Sequence, residues 1–255
     1  AIAGPVLILA GAGSGKTRVI TTKIAYLVDR GGLPPEAILA VAFTNKAADE
    51  MRERVRALCP VGAGVMVRTF HSFGAWLLRR YGSALGIPAG FTIYDDEDSC
   101  SVLKAVLSGG GGRPARTSGA GKAARVPAGR VKEIAGWIAR AKDGGLLPDD
   151  DLSEFAARVG ASACDFPRIY AQYQERLERA GCLDFGDLIV RSVRLLAGSP
   201  PLARTVRDRF RVILVDEYQD SNLAQLALLE QLHEPAGYLC VVGDEDQSIY
   251  SFRGA

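Results

Sequence analysis

Apolar residues recur along this chain with two periods, and the alternation between the periods lays out the fold. Short apolar runs occur at Val6 to Leu9, Ile38 to Phe43, Val65 to Thr69, Val212 to Val215 and Leu239 to Val242. Runs this short, with little polar alternation, predict strands covered on both faces, as parallel strands are. Between the first three, apolar positions follow helical spacing: Ile20, Ile24, Leu27 and Val28, then Met51, Val55 and Leu58, then Phe73, Trp76 and Leu77. Gly31-Gly32 stops the first helix, Thr44 and Asn45 cap the second, and Ser72 opens the third. Strand and helix in turn predict an α/β domain with a parallel sheet and right-handed crossovers.

From about Phe91 to Cys182 the pattern is helical only, in the groups Val102, Leu103, Val106, Leu107; Val131, Ile134, Ala135, Ile138; Leu152, Phe155, Ala156, Val159; and Ile169, Tyr173, Leu177. This predicts an inserted, mostly α-helical subdomain over residues 89–183, within a sheet domain formed by 1–88 and 184–255. Inside it, residues 108–129 are rich in Gly, Ala, Pro, Arg and Lys and hold too little apolar surface to order themselves. Arg113, Arg116, Lys122 and Arg125 there either brush a phosphate backbone or belong to a solvated linker. The sheet resumes at Val212, and a helix over Asn222 to Leu232 separates its last two runs.

Composition changes this picture little. A chain of 255 residues, 48% hydrophobic and 24% charged, is ordinary for a globular protein, and a formal charge of +2 argues neither for nor against nucleic acid. Cys59, Cys100, Cys164, Cys182 and Cys240 show no zinc spacing, and His71 and His233 cannot complete a set. Reduced thiols in a cytoplasmic protein are expected, with no membrane span and no signal peptide. His233, at a helix end, is expected to be structural. Both ends read as cut, since a core strand begins within a few residues of Ala1 and a functional segment runs to Ala255.

The candidate chemistry starts where the first run ends. Val6 to Leu9 leads into Ala10, Gly11, Ala12, Gly13, Ser14, Gly15, Lys16, Thr17 and Arg18, a small-residue turn opening a helix. That is a phosphate-binding loop: glycines let the backbone approach a triphosphate, helix N–H groups face it, Lys16 reaches its β- and γ-phosphates and Thr17 ligates Mg²⁺. The loop pattern wants Gly at position 10, where this chain has Ala. Alanine keeps ordinary negative φ, so the left-handed residues are expected at Gly11 or Gly13. A second string, Gly119 to Lys122, follows no strand and is no such loop.

Ligands of parallel sheets bind at the carboxyl ends of the strands. Those ends bring in Phe43 to Lys46, Thr69 to Ser72, Asp216 to Asp220 and Gly243 to Gln247. In a phosphate-loop enzyme a carboxylate such as Asp216 holds the Mg²⁺ shell, and the next, Glu217, orients and deprotonates the attacking water. Gln247 is placed to hydrogen-bond the γ-phosphate and sense its loss.

Six strings now carry a resemblance: AGAGSGKT, AFTNKAADEM (Ala42 to Met51), RTFHSF (Arg68 to Phe73), LDFGDL (Leu183 to Leu188), VDEYQD (Val215 to Asp220) and VGDEDQSIYSFRGA (Val242 to Ala255). In order and spacing they resemble the motifs of the UvrD/Rep/PcrA family of DNA helicases, nearly end to end apart from the Gly-rich tract. The resemblance implies the first of two RecA-like domains, with ATP in the cleft between the two and single-stranded DNA across the top. It implies ATP and Mg²⁺ as cofactors, and single-stranded DNA, duplex junctions and the second RecA-like domain of the same parent chain as partners. By the same resemblance Phe43, Tyr250 and Phe252 are base-binding aromatics, and Thr44, Asn45, Lys46, Thr69, His71 and Ser72 contact the DNA backbone. Arg253 links nucleotide cleft and DNA track. Core packing remains open for Phe43 and Phe252, and a structural role for His71. Relatives usually carry Trp where this chain has Phe252 and an acid where it has Gly186, so some stacking area and one hydrogen bond are expected to be lost.

The implied activity is ATP-dependent 3′-to-5′ translocation and unwinding in DNA repair or replication. Two other readings stay open: the helicase subunit of a helicase-nuclease complex, and a nucleotide-gated DNA-binding module without unwinding activity. Intact Lys16, Asp216, Glu217 and Gln247 speak against the second.

Overall fold

The computed structural model describes residues 4–11, 13–109, 127–161, 164–234 and 237–244. Its first half runs β1 (Val6–Leu9), α1 (Lys16–Asp29), β2 (Ile38–Ala42), α2 (Asn45–Leu58), β3 (Met66–Thr69) and α3 (Phe70–Tyr81). There follow β4 (Thr92–Tyr94), α4 (Asp96–Leu107), α5 (Ala128–Asp143), α6 (Ser153–Arg158), α7 (Phe166–Arg179) and β5 (Cys182–Asp184). The chain then forms α8 (Phe185–Gly198), α9 (Pro200–Arg209), β6 (Val212–Val215), α10 (Leu223–Leu232) and β7 (Tyr238–Gly243).

Among the described residues five strands form one parallel sheet in the order β1, β7, β6, β2, β3. Alternate residues feed two apolar layers, because successive side chains on a strand point to opposite faces. Ile38, Ala40, Val212 and Leu214 pack with Ile20 and Ile24 of α1 and Met51 and Val55 of α2. Leu39, Val41, Ile213 and Val215 pack with Phe73 of α3, Leu188 and Leu195 of α8 and Leu228 of α10. Helices on both faces are what make β2 and β6 continuous apolar runs rather than alternating ones.

The first strand departs from that expectation. Val6 and Ile8 pack into the α1 layer, but Leu7 is 58% and Leu9 52% exposed, so β1 is not buried on both faces. It pairs with β7 along one edge and is the outer strand of the sheet among the described residues. Leu58, expected on the buried face of α2, is exposed at the helix end.

The stretch between the sheet's two halves has its own apolar cluster, in which Leu103, Ile134, Trp137, Phe155, Phe166, Tyr170 and Leu177 come from α4 to α7. It is not purely helical. β4 and β5 pair in parallel, Thr92 with Cys182 and Tyr94 with Asp184, closing the stretch at both ends. Three-residue strands are too short to show a period, which is why the sequence pattern gives helices only. Residues 110–126 of the Gly-rich tract, including the Gly119 to Lys122 string, lie outside the described residues.

No helix among the described residues is long and apolar enough to cross a membrane. All five cysteines are free thiols; Cys59, Cys182 and Cys240 are buried, Cys100 and Cys164 half-buried.

Candidate active site

Because the strands run in parallel and in register, their carboxyl ends lie along one edge. Leu9 pairs with Gly243, Val215 with Val241, and Val41 with Val215. The Ala10 N–H donates to the Gly243 carbonyl at 3.0 Å, which fixes where the loop leaves the sheet. The Ser14 N–H then donates to the Gly11 carbonyl at 3.3 Å and turns the chain back. Gly13 (φ 70°), one of the two positions anticipated, takes the left-handed conformation, and so does Gly15 (φ 89°), which was not anticipated. Gly15 is also the N-cap of α1, and with no capping side chain it leaves the helix's first amides open to an anion. A Cβ at Gly11 or Gly13 would meet nothing within 4 Å, so the turn borders open space. Ala12 lies outside the described residues.

The loop's lysine meets carboxylates from the two neighbouring strand ends. Lys16 is 8% exposed, with its Nζ 3.4 Å from Glu217 Oε2 and 3.4 Å from Asp244 Oδ2. At the next residue, the Thr17 hydroxyl donates to Asp216 Oδ2 at 2.9 Å. Asp216 is held by its own N–H donating to the Val41 carbonyl at 2.9 Å, and its Oδ1 accepts the Glu217 N–H at 3.1 Å. Burial pushes the Asp216 carboxyl above its usual range; the Thr17 hydroxyl opposes that rise, and the adjacent Glu217 adds to it. Asp220 is raised as well, by burial and then by Glu217, and its Oδ1 is buried without a hydrogen-bond partner among the described residues.

Glu217 is the one non-glycine residue at positive φ among the described residues (φ 51°, ψ 47°). That conformation costs about 1–3 kcal/mol and persists only where the surroundings enforce it. Gln219 braces the Glu217 side chain there, donating to its Oε2 at 2.7 Å and accepting the Asp244 N–H at 2.9 Å. The side chain is 35% exposed, so a water can reach it.

This arrangement fits a magnesium–triphosphate. The residues offer a hydroxyl and a carboxylate at hydrogen-bond distance, an ammonium already between acids, open amides and an orphaned carboxylate oxygen. Sites for Mg²⁺ with nucleotides in general use one or two protein oxygens plus phosphates and water, and Thr17 and Asp216 would supply such oxygens.

Sequence reasoning named Lys16, Thr17, Asp216 and Glu217 and missed Asp244 and Gln219. Both missed residues stand in the quoted strings at strand ends, and that position was the available signal. Gln247, Tyr250, Phe252 and Arg253 lie outside the described residues.

Among the described residues, those read as DNA contacts sit at the ends of β2 and β3, on the same edge. Thr44 is the N-cap of α2, its hydroxyl accepting the Ala47 N–H at 3.1 Å, and Asn45 and Lys46 are exposed in the first turn. The third helix begins at Phe70 rather than Ser72, because Thr69 caps it by accepting the Ser72 N–H at 3.2 Å. The Thr69 and Ser72 hydroxyls are 2.9 Å apart. The His71 ring packs against the exposed ring of Phe185 at 5.2 Å and a tilt of 51°, and Phe43 is half-buried.

A second charged cluster was not foreseen. Lys142, 1% exposed on α5, places its Nζ 2.6 Å from Asp184 Oδ2 and 2.9 Å from Asp187 Oδ1. Asp184 and Asp187 form the capping box of α8, and Gln174, Tyr173 and Arg191 complete their hydrogen bonds. At Gly186 a Cβ would come within 2.7 Å of Lys142 Cδ, so the missing acid leaves room for the lysine stem. No local pattern could reveal a pair 42 positions apart.

Comparison with known proteins places these features in context. The model of the UvrD/REP helicase N-terminal domain matches residues 1–255. The ATP-dependent DNA helicase PcrA of Bacillus subtilis (strain 168) is 40% identical over 253 residues, covering 99% of this chain and 32% of its own. Its namesake from Staphylococcus epidermidis is 41% identical over 258 residues (99% and 33%), and that of Staphylococcus aureus (strain Mu50) 41% over 253 (99% and 33%). The chain thus spans about a third of the length of the curated relatives it matches.

Proposed function

Because the chain belongs to the UvrD/REP helicase family, we propose that it is the ATP-binding N-terminal part of an ATP-dependent DNA helicase moving 3′ to 5′ on single-stranded DNA. The observation that carries this reading is the meeting of Lys16, Thr17, Asp216, Glu217 and Asp244 around one helix N-terminus. In it, residues 1–88 and 184–255 form the nucleotide domain and 89–183 an inserted helical subdomain. The partners are single-stranded DNA, duplex junctions and a second RecA-like domain of the parent chain.

The open amides of α1 and Lys16 take the phosphates, and Thr17 with Asp216 holds Mg²⁺. When bound, that ion draws charge from the phosphate oxygens. Glu217 orients the attacking water and accepts its proton, and Gln219 keeps the carboxylate aimed. Gln247 then registers loss of the γ-phosphate and, with Arg253, passes it to Tyr250 and Phe252.

Phe43→Ala in the parent protein is expected to weaken single-stranded DNA by about 1–3 kcal/mol, the worth of one stacked base, with the salt dependence unchanged. Titrations at several salt concentrations, with and without nucleotide, read both quantities. Unchanged affinity would leave Phe43 as packing only. The 255-residue chain by itself is expected to turn over ATP more slowly than the parent by roughly 10³–10⁵-fold, the worth of an arginine finger from the second domain. A phosphate-release assay comparing the two decides this, and equal rates would contradict it.

A further inference from the structure

The catalytic turn is tied at its far end to the helical insertion. Glu217 stands in its left-handed conformation at the end of β6, and the chain then makes one tight turn, Asp220 N–H donating to the Glu217 carbonyl and Ser221 N–H to that of Tyr218, both at 3.0 Å. Asn222 receives this turn and caps α10. Its Oδ1 accepts the Gln225 N–H at 2.9 Å, its N–H donates to Gln225 Oε1 at 3.3 Å, and its Nδ2 donates to Asp143 Oδ1 at 2.6 Å. Asp143 is the last residue of α5, 79 positions away, and Asn222 is 8% exposed.

The end of α5 cannot drift. Its neighbouring residue Lys142 is locked between Asp184 and Asp187, which cap α8, and α8 packs beside α10 in the layer under the sheet. Strain at Glu217 is therefore held between two fixed points, β6 on one side and the α5–α8 junction on the other.

We propose that Asp143, through Asn222, is a positioning residue for hydrolysis: the insertion's helix α5 holds the 217–222 turn so that Glu217 stays aimed into the nucleotide site. This rests on Glu217 acting as the base. The consequence is that the insertion contributes to turnover, and a displacement of the end of α5 is passed by the Asp143–Asn222 hydrogen bond to the turn that carries Glu217. Nucleotide binding, which rests on the loop, Lys16 and Thr17, is untouched by it.

The test uses the full-length parent protein and reads kcat and KM for ATP with saturating single-stranded DNA. Asp143→Ala is expected to lower kcat about 10–100-fold, in the range a displacement of about 1 Å costs, with KM for ATP within about twofold. Asp143→Asn, which keeps an oxygen for Asn222, is expected to restore most of the rate. Asn222→Ser retains a capping hydroxyl for Gln225 but loses the Nδ2 amide that reaches Asp143, and should reproduce the loss. Combined, Asp143→Ala and Asn222→Ser should lose no more than either alone. Glu217→Gln separates the two levels. If it spares turnover, the base assignment fails; if it abolishes turnover while Asp143→Ala keeps wild-type kcat, the positioning role alone is overturned. Equal loss in Asp143→Asn and Asp143→Ala, with KM and melting temperature moving together, would also overturn it.

Discussion

Lys16→Ala in the parent protein is expected to reduce DNA-stimulated ATP turnover by about 10²–10³-fold or more, the effect of removing one preorganised charge from a phosphoryl-transfer site. The lysine is 8% exposed and lies 3.4 Å from both Glu217 and Asp244, which fixes its ammonium at the mouth of the loop. Nucleotide affinity falls as well, because the carboxylates it separated would then face the phosphates unscreened. Lys16→Arg is expected to fail too, since a planar guanidinium cannot replace a compact ammonium in so confined a place. Phosphate release at saturating DNA is the measurement, and wild-type turnover in either variant refutes the assignment of the loop.

Asp187→Asn is expected to destabilise the fold by about 3–5 kcal/mol, the cost of breaking a buried ion pair from one side. Its carboxylate is fully buried and takes Lys142 at 2.9 Å and Arg191 at 3.3 Å, together with Gln174. Burial by itself would raise this carboxyl, but Lys142 and Arg191 outweigh it and hold it below the usual carboxylate range. The stability it contributes is therefore complete above the ordinary carboxylate pKa and is lost as pH falls through the depressed folded value. Asp184 runs the other way, its carboxyl raised by burial against the pull of Lys142. Melting curves should show a deficit on the order of 10 °C for Asp187→Asn at pH 7. The gap should narrow in acid. A variant that melts with the wild type at neutral pH would show that the cluster carries no stability.

These two residues also mark how far the sequence could be read. Lys16 was legible because strand, glycines, lysine, threonine and helix follow one another, and each step has a local physical cause. The doubly buried strands β2 and β6 were legible for the same reason, since helices on both faces leave no polar position. The β1 strand was misread because an apolar run looks alike at the centre and at the edge of a sheet, and only pairing shows that Leu7 and Leu9 are exposed. Thr69 was passed over as a cap because its strand ends on it, leaving no gap before α3. Asp187 and Lys142 were illegible as a pair, since nothing local couples them. Asp244 and Gln219 fall between these cases, placed by the strand ends but given a role only by their distances to Lys16 and Glu217.

The account stands or falls on where the triphosphate sits, and Mn²⁺ in place of Mg²⁺ reports that directly by broadening nearby amide signals. With Mn²⁺–ATP added to the chain, the amides of Gly13, Gly15, Thr17, Glu217 and Asp244 should disappear first. Those of Gly237 and Tyr238, about 17 Å away at the start of β7, should persist. Intact Gly15 and Glu217 signals, with broadening centred instead on Arg207, Arg211 and His233 around the cavity of about 220 Å³ at that opposite end, would contradict it.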